Sequence, residues 1–94
     1  MSTGKLTPGD VVTVVTMVGE IVGRYLWAER GRLGIGDARL FVQTAEGTGF
    51  SPTVSMTGKE KIDEIIINNY VMMVPASAET EKAWLSITSG IILA

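Results

Sequence analysis

The sequence predicts an all-β domain that ends in a short helix. Three observations carry that reading: β-branched runs at Val11–Val15 and Ile65–Ile67, an alternating segment over 38–44, and a change to helical spacing after Pro75. The chain has 94 residues, of which 46% are hydrophobic and 19% charged. Its mean hydropathy is +0.30. That length fills one core, so residues 1–94 form a single domain: an arm over 1–10, a barrel over 11–75, and a helix with its tail over 76–94. A domain this small leaves much of its surface wet. So apolar a chain is expected to cover some of that surface with copies of itself.

Gly4, Pro8 and Gly9 with few apolar anchors predict a loose arm. The first strand follows over Val11–Met17, stiffened by valine and threonine. Val18-Gly19-Glu20 makes a turn, and Glu20–Ala28 folds back as a second strand. There Ile21, Gly23, Tyr25 and Trp27 share one face, with Glu20, Val22, Arg24 and Leu26 on the other. Gly23 marks a sharp bend. Residues 29–37, with three glycines and two arginines, predict a mobile loop. Ala38–Thr44 alternates Leu40 and Val42 against Arg39, Phe41 and Gln43, as a half-buried third strand does. Residues 45–61 form a variable excursion with a short extended piece near Phe50–Met56. Asp63–Asn69 is the fourth strand, Asn68-Asn69 a tight connection, and Tyr70–Val74 a fifth strand stopped by Pro75. Ser77 then caps a helix whose first turn carries Glu79 and Glu81. Trp84, Ile87 and Ile91 form its apolar stripe, and Gly90 ends it.

What is missing narrows the chemistry. Without cysteine there are no disulfides, thiol nucleophiles or Cys-ligated metals, and without histidine the common general base and the two-His zinc sites are lost. No cofactor or metal site is expected. Eight basic against ten acidic residues give net charge −2, so any polyanion contact must be local. The run Val11–Val18 is broken by threonines and Ala83–Ala94 falls short of the ~20 residues that span a bilayer, so a cytoplasmic protein without membrane contact is expected.

The glycines at 31, 34 and 36 have the wrong spacing for a dinucleotide fingerprint and lead into a strand. Gly58-Lys59 lacks both the first glycine and the hydroxyl of a phosphate loop. Asp63 and Glu64 are adjacent on a strand and point to opposite sides, so they cannot share a substrate. Catalysis is not expected. Arg24, Arg30, Arg32 and Arg39 fall close together with Glu29 and Asp37 as the only acids among them, next to Tyr25 and Trp27. Such a patch either meets phosphates and stacks bases or is a solvated strand edge beside core aromatics.

The order of these elements resembles the Sm-like (Lsm and Hfq) small β-barrel family over Val11–Pro75. Val12–Gly23, a strand, a Gly-acidic turn and a second strand with an inner glycine, is similar to the first Sm motif. Ile65–Pro75 is similar to the second. The resemblance implies a five-stranded, strongly bent barrel of the SH3 type. Its copies join edge to edge, fourth strand against fifth, into a homo-oligomeric ring that binds single-stranded RNA. The fifth strand, apolar on both faces, is a hazardous edge unless another chain covers it. The expected function is therefore non-catalytic RNA binding or scaffolding, with Asn68, Asn69, Tyr70, Arg30 and Arg32 contacting RNA. Ile65, Ile67, Val71, Met72 and Met73 would form the oligomer interface. The alternative is a structural part, of the kind used in phage assembly, on the same barrel without nucleic acid.

Overall fold

The computed structural model describes residues 6–53, 57–58 and 62–88. The described residues form six strands and one helix: β1 (Val11–Thr16), β2 (Gly19–Glu29), β3 (Arg32–Thr44), β4 (Gly47–Pro52), β5 (Glu64–Asn68), β6 (Met72–Pro75) and α1 (Ala78–Thr88). All pairings are antiparallel. The sheet order is β4-β3-β2-β1-β6, with β5 also pairing with β3. The all-β class with a C-terminal helix is therefore as expected. The strand number is six, and the sheet is not closed, because β5 and β6 lie on no common ladder among the described residues.

The main departure is at residues 29–37. The expected mobile loop is only the turn Arg30-Gly31, and β3 starts at Arg32, opposite Glu29. Arg30 and Gly31 have φ of 49° and 80°, the paired positive values that let a two-residue loop follow the twist of its strands. Gly34 and Gly36 both lie inside the strand, and at Gly34 the reason is lack of room. A Cβ on Gly34 would run into the Trp27 indole and the Glu64 carboxylate. Glycine here admits a side chain from the next strand, which composition alone does not distinguish from flexibility.

The bend expected at Gly23 is present as a bulge. Val22 pairs with Arg39 but Arg24 pairs with Gly36, so Gly23 faces both Asp37 and Ala38. A second register shift lies between Tyr25 and Trp27. The even alternation read for the second strand is therefore broken, and Ile21 and Val22 are both buried. A Cβ on Gly23 would sit 2.7 Å from the Gly36 carbonyl oxygen.

The core gathers Val12 and Val14 of β1, Ile21 of β2, Leu33, Ile35 and Ala38 of β3, and Ile67 of β5. Leu6 packs against it, and Gly9 and Asp10 bond to the backbone of Tyr25, so the described part of the arm is tied down. The excursion contains β4, opposite the second half of β3, with a Phe41–Phe50 edge-to-face pair between them. The expected extended piece overlaps β4 only over 50–52, and Val54–Met56 lie outside the described residues.

The helix start is as read: Ser77 Oγ accepts from the Thr80 N–H at 3.1 Å. Trp84 is fully buried, whereas Ile87 is exposed, so the helix docks through one aromatic ring and not a stripe. Ile91 and Gly90 lie outside the described residues. No described helix is long and apolar enough to cross a membrane.

Candidate functional site

Both turns expected to meet RNA lie at one end of the sheet. Arg32 opens β3 directly opposite Asn68, the last residue of β5, so the Arg30-Gly31 turn lies beside Asn68-Asn69. Asn69 has φ 57°, the left-handed conformation that asparagine tolerates better than most residues. Asn68 and Asn69 are exposed, while Tyr70 is half-buried and packs against the core, leaving only part of its ring to stack on anything. Arg30 is exposed, and Arg32 has Glu29 at 3.7 Å.

The four arginines do not act as one patch. Arg24 forms an ion pair with Asp37, and its guanidinium stacks 4.9 Å from the centroid of the Trp84 ring. Trp84 Nε1 in turn donates to the Asp37 carbonyl at 2.9 Å, and the Asp37 N–H donates to the Asp63 carbonyl. Asp37 takes φ 48° at the bulge opposite Gly23, so one residue binds β2, α1 and the approach to β5. Arg39 donates to the Ala38 carbonyl. Trp27, a candidate base-stacking ring, donates from Nε1 to Glu64 at 2.6 Å, which places a carboxylate beside the indole where a phosphate would be repelled.

The interface residues are divided between the core and the surface. Ile67 is buried and Ile65 and Met73 pack on the core, whereas Val71 and Met72 are exposed. The sequence reading missed the apolar residues beside them. Met17 and Val18, at the tip of the β1–β2 hairpin, are 92% and 76% exposed, and Ile66 is 58% exposed. With Thr16, Ile21, Ile67, Asn68 and Asn69 they line an apolar groove of about 340 Å³. A signal for it was present, because two large apolar residues stand at a hairpin tip where polar or glycine residues are usual. A separate, more polar hollow lies between Asp10, Pro75 and Glu81.

Among the described residues no cluster of acidic side chains could hold a metal ion. Comparison of the chain with protein-family models, with curated proteins and with solved structures finds no match in any of the three.

Proposed function

We propose that the chain is a non-catalytic Sm-like module that assembles with copies of itself into a ring and binds or scaffolds single-stranded RNA at the Asn68-Asn69 end. Support for the barrel comes from the β1–β2 hairpin, the bend at Gly23, and the strand–turn–strand unit of β5, Asn69 and β6. The observation that carries the RNA part is the ladder position of Arg32 opposite Asn68. It puts guanidinium groups for phosphate beside amides that can read unstacked bases.

The alternative, an oligomeric structural part with no nucleic acid, has its own support. Arg24 and Trp27, the strongest phosphate and stacking candidates by type, are engaged within the chain. The groove that Asn68 and Asn69 border is also apolar and carries no basic residue. Binding of labelled oligo-U, oligo-A and a structured RNA at two salt concentrations decides between them. The RNA reading expects oligomer binding that weakens as salt rises. Absence of binding at low salt leaves the structural reading.

A further inference from the structure

The outer face of the sheet carries an arrangement that the proposed function leaves unused. Leu33 and Ile35 of β3, and Ile65 and Ile67 of β5, pack in the core, so Gly34, Glu64 and Ile66 between them face out. Trp27 joins them through an irregularity. Tyr25 pairs with Ile35 and packs against the core, and strict alternation would put Trp27 on that side as well. The register shift between the two sets Trp27 opposite Gly34 instead. Re-aiming a side chain is a common use of a bulge, and this one takes the largest residue of β2 out of the core.

Pairing across three strands then fixes a row, with Trp27 opposite Gly34 and Gly34 opposite Ile66. Gly34 is buried because the indole occupies the place of its missing side chain. The bond from Trp27 Nε1 to Glu64 at 2.6 Å holds the ring there. Half-buried Trp27 and exposed Ile66 thus form an apolar strip on a paired sheet. The next row is Glu29, Arg32 and Asn68, all exposed. Arg24, opposite Gly36, is turned away to Asp37 and Trp84.

We propose that this strip binds the ring of a neutral carbohydrate, stacked on the Trp27 indole with its hydroxyls held by Glu64, Arg32 and Asn68. Several features select that class. The negative face of an indole attracts the polarised C–H groups of a sugar ring, and a ring already held in place loses little freedom on binding. A carboxylate, a guanidinium and an amide each present paired acceptors or donors in one plane, which neighbouring sugar hydroxyls can satisfy together. The charges framing the strip are the carboxylates of Glu29 and Glu64 against the one guanidinium of Arg32, so a phosphate or an acidic sugar is disfavoured. A peptide laid on this face would find no main-chain partner, because β3 is paired on both sides over 32–36. The site needs neither a ring of subunits nor RNA, although Arg32 and Asn68 serve in both readings.

The second tryptophan supplies an internal control, since Trp84 is fully buried and its indole donates to Asp37. The indole N–H resonances of isotope-labelled protein are followed during titration with maltohexaose, cellohexaose and the tetramer of N-acetylglucosamine, and separately with uridine monophosphate and hexaproline. The expected result is a saturable shift of the Trp27 signal by at least one sugar at millimolar concentration, with the Trp84 signal unmoved. Trp27→Ala should lower the affinity for that sugar at least about tenfold, read from the amide signals of Gly34 and Ile66. Asn68→Ala, at an exposed position, should lower it at least about threefold and serves as the second variant if Trp27→Ala does not fold. A Trp27 signal that no sugar moves overturns the proposal, as does an unchanged affinity in either folded variant. Tighter binding of uridine monophosphate or hexaproline than of every sugar overturns it as well, in favour of a base or a peptide.

Discussion

The middle and the start of β3 contrast in how the chain uses its polar groups. Around Asp37 almost every strong group is bound within the molecule: Arg24, the Trp84 indole and the Asp37 amide and carbonyl all meet partners. Around Asn68 the chain leaves apolar side chains and strand edges open, and Met17, Val18 and Ile66 cover nothing. Polar residues thus stabilise the fold at one place, and apolar residues stay exposed at another. Within the arginine-rich segment, Arg24 and Asp37 dock the helix, and the isoleucine-rich segment supplies both core and surface.

If that division holds, substitutions near Asp37 cost stability and substitutions near Asn68 cost assembly or binding. The largest effect is expected for Trp84→Ala, which empties a fully buried site and should lower stability by about 3–5 kcal/mol, read as a shift of the urea midpoint. Next comes Gly23→Ala, expected to cost about 1–3 kcal/mol because the added methyl meets backbone on β3. Gly34→Ala should cost a similar amount, since its methyl meets the Trp27 indole and displaces the Trp27–Glu64 hydrogen bond. Asp37→Asn keeps a residue suited to positive φ and loses only the ion pair, whereas Asp37→Ala also strains the backbone. Thermal melts should therefore rank alanine below asparagine, and equal melting would mean the conformation at the bulge contributes nothing. The smallest stability changes belong to Met17→Ser and Arg32→Ala, both expected within about 0.5 kcal/mol. Arg32→Ala should nonetheless weaken oligonucleotide binding if the RNA reading is correct. A large loss of stability in Arg32→Ala would erase the contrast between the two regions.

Much of the strand pattern was legible because it rests on local chemistry. The valine-rich first strand, the alternation of Leu40 and Val42, the Ser77 cap and the bend at Gly23 each follow from what a residue does to its own backbone or nearest neighbours. The Asn68-Asn69 turn was legible for the same reason. The arrangement at the candidate site was only partly so. Four arginines close together in sequence looked like one surface, yet the bulge turns Arg24 toward Asp37 and Trp84, a partner 60 positions farther along the chain.

The sequence by itself determined the class of fold and the places where the chain bends, since these depend on composition and on interactions a few residues long. Only the tertiary structure decided that Gly34 makes space and not flexibility, because the atoms that occupy that space come from Trp27 and Glu64 on other strands. It also decided which apolar residues stay exposed. Whether a Met or an Ile is buried depends on the strands beside it, and for β5 and β6 one of those places is vacant among the described residues.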